Sequence, residues 1–236
     1  WAYFMMIQLY GKRFEKGGQN NTEGVPLKLD TKVEPLPRAT VAEVYTQINE
    51  DLDAAIELLG GTVPVRRDKS HINVQVAKGF KARVALAQQE WTLAAQLATE
   101  ARTGFNLMTN TEYYAGFSNY TNQEWIWGFK QQEDQTTFFY SFFAFMSCNY
   151  GSTNTRTNPK AINSLLYNQI HASDIRKGLW DPTGADPTFP IPLNPAGERK
   201  AYMNRKFAVP NVALSNGDLC LMRAAEMYLV EAEALA

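Results

Sequence analysis

Residues 73–103 read NVQVAKGFKARVALAQQEWTLAAQLATEART, and this stretch decides the fold. Apolar residues recur in it at steps of three and four, which predicts two consecutive helices, from about Asn73 to Gln89 and from about Trp91 to Thr103. We expect Gly104 to close the second helix. The residues predicted to face inward are Val76, Ala77, Phe80, Val84 and Ala87 in the first helix and Trp91, Ala94, Ala95, Ala98 and Ala101 in the second.

Small residues dominate the positions where the two helices would touch. Alanine allows two helix axes to approach closely, and two helices within about thirty residues are typical of a tetratricopeptide-type pair. An ordinary helical hairpin is the alternative.

A longer helix is predicted before this pair. Thr40 and Glu43 have the spacing of a capping box, and we expect Gly60-Gly61 to end the helix with a left-handed cap. Residues 1–10 predict the end of a buried helix that stops near Gly11, and residues 15–39 predict an extended connector. The apolar stripe of the long helix consists of Val41, Val44, Tyr45, Ile48, Leu52, Ala55, Ile56 and Leu59.

The chain after residue 104 is predicted to be irregular. Glu124–Gly128 alternates like a strand, residues 131–217 predict mostly loop, and a short amphipathic helix is expected near Asn158–Asn168. A last helix is predicted from Asp218, its expected N-cap. The residues expected to share the inner face of this helix are Met222, Ala225, Leu229, Ala232 and Ala236.

These elements predict a mainly α protein of one domain over residues 1–236. The helical scaffold would occupy about 1–104 and 218–236, and the irregular region about 105–217 would carry the ligand surface, because long loops in compact domains usually carry function or disorder. The chain opens without Met and stops inside a helical pattern. We therefore interpret it as a fragment truncated at both ends.

Composition excludes several classes of protein. The chain has 236 residues, a net charge of −1 and 45% hydrophobic residues, which describes a globular protein and neither a basic nucleic-acid surface nor an acidic tail. Its opening apolar run is too short to cross a bilayer. Two cysteines could form one bridge, and the sequence leaves that pairing open.

Motifs for catalysis, cofactors and metals are missing from the sequence. It has no phosphate-binding loop, dinucleotide fingerprint, nucleophile elbow or zinc-binding helix motif. His71 and His171 have no obvious triad partners, and Cys148 and Cys220 lack metal-binding spacing. The sequence therefore predicts no enzyme activity, no cofactor and no metal.

Residues 135–155 form an uncharged segment rich in aromatic side chains. One interpretation is a loop whose rings fill the core, and the other is a binding platform. Flat rings can cover the apolar face of a sugar, while amide, hydroxyl and guanidinium groups bind its hydroxyls, which suits a neutral carbohydrate. The candidate ligand-binding residues are Tyr140, Asn149, Tyr150, Asn154, Arg156 and Trp180.

The sequence also resembles a known family, the SusD-like or RagB-like nutrient-binding lipoproteins of the bacterial outer membrane. The resemblance runs through nearly the whole chain in order and spacing. It is carried by Tyr3-Phe4, Tyr10-Gly11, residues 24–27 (GVPL), 38–48 (RATVAEVYTQI), 51–55 (DLDAA), 81–86 (KARVAL) before Trp91, 124–127 (EWIW), 174–176 (DIR) and 221–234 (LMRAAEMYLVEAEA).

The resemblance implies a tetratricopeptide-like scaffold with a long irregular region that carries the ligand surface. It implies a cell-surface protein that binds an oligosaccharide or polysaccharide and passes it to a SusC-like TonB-dependent transporter. Contact with the outer membrane would come only through a lipid anchor outside the fragment, and nucleic acid is not an expected partner. The family has no fixed motif for ligand contacts, so the candidate residues above come from chemistry alone.

Other functions remain open at this point. Some relatives bind peptides, and a non-enzymatic tetratricopeptide adaptor or a secreted enzyme are further alternatives. The uncharged aromatic segment favours sugar over peptide, the long loop-rich region disfavours an adaptor, and the missing catalytic motifs disfavour an enzyme.

Overall fold

The computed structural model describes residues 1–61, 65–135, 140–150, 158–189 and 199–236. The chain divides into two compact units, the first formed by Trp1–Asn106 with Met222–Ala236 and the second by Leu107–Leu221. The first unit contains the long helices, and the second contains short helices, short strands and irregular chain. The predicted mainly helical fold with a loop-rich region is therefore confirmed.

The elements have the following bounds in chain order. The helices are α1 (Ala2–Tyr10), α2 (Val41–Gly60), α3 (Val74–Ala87), α4 (Trp91–Ala101), α5 (Asn110–Tyr113), α6 (Phe142–Met146), α7 (Ser164–Gln169) and α8 (Ala224–Leu235). The strands are β1 (Trp125–Phe129), β2 (Trp180–Asp181), β3 (Met203–Asn204) and β4 (Leu219–Arg223). The pairs are β1 with β4 and β2 with β3.

The predicted helical pair is present as α3 and α4, which pack against each other, and α8 packs on both. The Asn73 side chain caps α3 by accepting the Val76 N–H. The inward alanines of α4 are buried as expected, and Leu97, which the pattern analysis did not place inside, is buried with them. The inward prediction for Trp91 is wrong: this residue opens α4 and is 41% exposed.

Local capping decides where α2 begins. Thr40 Oγ1 accepts the Glu43 N–H at 3.2 Å, and Glu43 Oε2 accepts the Thr40 N–H at 2.7 Å, so the predicted capping box is confirmed. The predicted left-handed cap is wrong, because the backbone at Gly61 is extended, with φ −76°. The first turns of α2 pack with α1 in a cluster of Phe4, Ile7, Val25, Val41, Val44, Tyr45, Ile48 and Val84.

The last segment departs from the prediction at its start. Leu219–Arg223 is strand β4, and the helix begins only at Ala224. Asp218 is not its N-cap; its two carboxylate oxygens accept the backbone N–H groups of Tyr120 and Gln131, each at 2.9 Å. Pairing of β4 with β1 thus overrides the local helical pattern.

The buried face of the last helix also differs from the predicted one. The buried residues of α8 are Ala224, Met227 and Val230. Ala225 is half-buried, and the other predicted helix positions on the inner face, Leu229, Ala232 and Ala236, are exposed.

The second unit contains its own apolar cluster, made of Phe143, Ala144, Tyr150 and Val209. Strand β1 matches the predicted strand, and its Trp125 and Ile126 are fully buried. The predicted helix near 158–168 begins later, as α7, because the Asn163 side chain caps it by accepting the Leu165 N–H. Cys148 of the second unit is also buried, and burial raises the pKa of its thiol to about 12.

Candidate functional site

Trp180 lies at a junction built by local hydrogen bonds. Asp174 caps a 3₁₀ turn over Ile175–Leu179 by accepting the Arg176 N–H at 2.9 Å. Strand β2 follows at once and pairs antiparallel with β3, so that Trp180 lies opposite Asn204. Trp180 therefore lies where the capped turn meets the strand pair.

The loop after Trp180 is organised by the carboxylate of Asp181, which is completely buried. Its Oδ1 accepts the backbone N–H groups of Thr183 and Gly184 at 3.0 and 2.9 Å, and its Oδ2 accepts that of Asp186 at 3.0 Å. Burial alone would raise the pKa of Asp181, but these hydrogen bonds outweigh it and the pKa is lowered. The loop is thus fixed around a buried anion.

A cavity of about 500 Å³ lies on one side of Trp180. Four aromatic residues line it, together with acidic and basic side chains. The lining residues that matter to its chemistry are Tyr114, Tyr167, Asp174, Lys177, Trp180, Asp186, Phe189 and Arg205. Ring faces beside paired donors and acceptors can bury the apolar face of a sugar and bind its hydroxyls.

A second cavity, of about 340 Å³, also has Trp180 in its wall. Its lining is more apolar, with two cations among aliphatic and aromatic side chains. The residues are Tyr113, Ile162, Leu166, Ile170, Arg176, Leu179, Trp180 and Lys206. Trp180 is therefore shared by two neighbouring cavities of the second unit.

Several charged side chains that line the Trp180 cavities form hydrogen bonds with neighbouring residues. Arg176 Nε donates to both oxygens of Asp174 at 3.0 Å, and this pairing lowers the pKa of Asp174 to about 2. Lys177 Nζ donates to the Ile170 carbonyl at 2.8 Å. Hydrogen bonds from Thr188 lower the pKa of Asp186. All these acidic groups are ionised at neutral pH.

The ligand-binding residues proposed from the sequence have different surroundings in the structure. Tyr140 is 81% exposed, whereas Tyr150 is only 2% exposed and packs in the cluster around Phe143. The Asn149 amide is occupied: it donates to the Val209 carbonyl at 2.9 Å and accepts the Val209 N–H at 2.8 Å. None of Tyr140, Asn149 and Tyr150 lines either cavity beside Trp180.

Asn154 and Arg156 lie outside the described residues. The interpretation that rings fill the core therefore holds for part of the aromatic segment, and the binding platform stays a prediction. Phe143 and Tyr150 fill the core, while Tyr140, Phe142 and Phe145 are exposed to solvent.

Pattern reasoning missed most of the cavity lining. Tyr114, Tyr167, Phe189 and Arg205 come from separate loops and short elements, so no spacing in the sequence brings them together. The useful signal was the run Asp174-Ile175-Arg176, which builds the capped turn before Trp180.

Among the described residues, no helix has both the length and the apolar content needed to cross a bilayer. Nor does any group of three His, Cys, Asp or Glu side chains in the described ranges have the geometry to bind a metal ion.

Comparison with protein families gives a match over the first part of the chain. Residues 1–86 match the model of a SusD-like family described as starch-binding and associating with the outer membrane. None of the curated protein sequences compared with the chain matches it.

Solved structures match over almost the whole chain. A SusD-like carbohydrate-binding protein from Bacteroides vulgatus is 27% identical, with a TM-score of 0.80 over 98% of this chain and 48% of its own. A SusD superfamily protein from Bacteroides thetaiotaomicron is 19% identical, with a TM-score of 0.67 over 99% and 51%. A laminarin-binding SusD-like protein is 21% identical, with a TM-score of 0.61 over 89% and 54%.

The chain thus spans about half the length of the solved structures it matches. The family-model match covers α1, α2 and most of α3, and the shared fold extends through the second unit to α8. On these two findings, the chain is similar to SusD-like proteins, over residues 1–86 to the family model and over nearly its whole length to the solved structures.

Proposed function

We propose that this chain binds an oligosaccharide or polysaccharide at the outer-membrane surface and passes it to a SusC-like TonB-dependent transporter without altering it. The protein would be attached to the membrane through a lipid, as the family resemblance implies. The observation that carries the binding proposal is Trp180, which lines two cavities in company with other rings and hydrogen-bonding groups.

The chemistry of the Trp180 cavities supports a sugar better than an extended peptide. The larger cavity combines the rings of Tyr114, Tyr167 and Phe189 with ionised and hydroxyl groups at short range. A sugar ring offers an apolar face and a set of hydroxyls, which match rings and polar groups respectively. Tyr140, exposed on the aromatic segment, stays a further candidate contact.

The test is a screen of the full chain against polysaccharides and peptides by affinity gel electrophoresis, followed by calorimetry. For the glycan that binds, Trp180→Ala should lower the affinity about 30-fold, because removing an aromatic hot spot costs about 2 kcal/mol or more. The bound glycan should be recovered without newly released reducing ends.

The matched control is Trp91→Ala, which removes an exposed tryptophan from the first unit. It should bind the glycan like the parent. Binding of peptides in place of glycans, or equal glycan affinity of folded Trp180→Ala and the parent, would contradict the proposal.

A further inference from the structure

Arg205 is a cation of the larger Trp180 cavity whose guanidinium has no salt-bridge partner among the residues that the structure describes. Its guanidinium makes no hydrogen bond or salt bridge to any residue that the structure describes, and its Nε is buried without an acceptor. By contrast, the neighbouring cations Arg176 and Lys177 are bound to Asp174 and to the Ile170 carbonyl. An unpaired cation in a partly buried place is costly unless something else supplies the anion.

The guanidinium of Arg205 is nevertheless held in position. It lies over the ring of Tyr114 at 4.9 Å and over the ring of Phe189 at 4.8 Å, both measured from Cζ to the ring centroid. The Arg205 backbone N–H donates to the Leu179 carbonyl at 3.0 Å, next to Trp180. A side chain fixed between two rings loses little conformational freedom when it binds a ligand.

The carboxylate of Asp186 shares the cavity lining, and the charge of Arg205 contributes to its lowered pKa, but its hydrogen bonds go to Thr188. It accepts the Thr188 N–H at 2.8 Å and the Thr188 hydroxyl at 2.7 Å. It forms no salt bridge with Arg205 within the described residues. The planar guanidinium therefore remains available for an anionic group of the ligand.

We propose that Arg205 is an anion subsite and that the cavity beside Trp180 accepts an acidic sugar unit, a uronic acid. Its carboxylate would pair with the Arg205 guanidinium, whose fork of donors matches a carboxylate, and its ring would pack on the aromatic wall. This inference rests on the proposed glycan binding and names the class of glycan. It replaces the neutral sugar expected from the uncharged aromatic segment.

The experiment uses a probe pair that differs only at the carboxyl group, which is charged in the acid and neutral in the methyl ester. Oligomers of galacturonic acid and their methyl esters are titrated into the full chain by calorimetry, and polymannuronate and hyaluronan extend the set to other uronic acids. We expect at least one of these acids to bind and its methyl ester to bind at least tenfold more weakly, since charge-assisted hydrogen bonds are the strong ones.

Variants then assign the effect to one side chain. Arg205→Gln should lower the affinity for the acid by tenfold to about a hundredfold and leave the affinity for the ester unchanged. Arg205→Lys should recover part of the affinity for the acid. The matched control is Arg67→Gln, an exposed arginine of the first unit. Circular dichroism confirms that each variant is folded.

The outcomes separate the two proposals. If Trp180→Ala abolishes binding of a neutral glycan while no uronic acid binds, the glycan site stands and the anion subsite is overturned. If a uronic acid binds folded Arg205→Gln as tightly as the parent, the subsite is likewise overturned. Loss of acid affinity in Arg205→Gln alone supports it.

Discussion

At Gly178, near Trp180, the backbone packs so closely against a neighbouring ring that a single added atom would clash. A Cβ at this position would lie 2.7 Å from the hydroxyl oxygen of Tyr114 and 3.3 Å from its Cζ. The same hydroxyl donates to the Ile175 carbonyl, which keeps the ring against the 3₁₀ turn. The close approach of ring and backbone therefore requires glycine here.

We expect Gly178→Ala to displace the Tyr114 ring and lower glycan affinity several-fold, with a stability loss of about 1–3 kcal/mol from overpacking. Calorimetric titration and urea denaturation measure the two effects. The control is Gly60→Ala, whose Cβ would meet only Val74 Cγ2 at 3.9 Å. Unchanged affinity and stability in Gly178→Ala would show that the Tyr114 ring can move freely.

Contacts of single residues were also the hardest feature to predict. Asn149 has the right chemistry for a sugar, but its amide groups are used by the Val209 backbone, sixty positions away. Tyr150 has the right ring, but it is packed in the core. Such choices depend on distant partners that local sequence does not reveal.

Helices whose ends are set by local interactions could be predicted, and those set by distant pairing could not. The capping box places the start of α2, and Asn73 places that of α3. The start of α8 was predicted five residues too early, because β4 pairs with β1 and uses residues whose local pattern fits a helix. In the second unit, one strand and one short helix were predicted, and the rest of its course was predicted only as loop.

The tight face of α4 gives a stability prediction at this scale. Ala94 and Ala98 are completely buried where α4 packs against α3 and α8. Ala94→Leu and Ala98→Leu should each lower the free energy of unfolding by about 1–3 kcal/mol, because added methyl groups overpack a filled interface. Urea denaturation measures the change.

Ala54→Leu is the control for these substitutions, since Ala54 is exposed on α2. It should leave the unfolding free energy within about 0.5 kcal/mol of the parent. Melting of Ala98→Leu at the parent's temperature would mean that this helix face is not a close contact.

We expect acid to destabilise both units of the molecule, because both contain carboxylates with lowered pKa values. Hydrogen bonds from Ser70 lower the pKa of Asp68 to about 2 in the first unit, and Arg176 does the same for Asp174 in the second. The other carboxyl groups with lowered pKa values are those of Glu43, Glu100, Glu112, Asp181 and Asp186.

A carboxylate whose pKa is lower in the folded state stabilises that state above its unfolded pKa, and this stabilisation disappears as pH falls through the folded pKa. For Asp68 and Asp174 the window runs from 3.8 down to about 2. The melting temperature should therefore fall steeply across this window. Asp68→Asn with Asp174→Asn should flatten the fall, and a melting temperature constant from pH 5 to pH 2 would contradict the assignment.

The discontinuous first unit has a consequence for how the chain reaches its native state. Thr99 Oγ1 donates to Glu231 at 2.9 Å across 132 positions, and Arg83 forms a two-pronged pair with Glu226. Closing so long a loop costs entropy before any contact repays it, which slows folding. During synthesis, α3 and α4 emerge well before α8, so the part of α4 that α8 covers stays exposed while the whole second unit is translated.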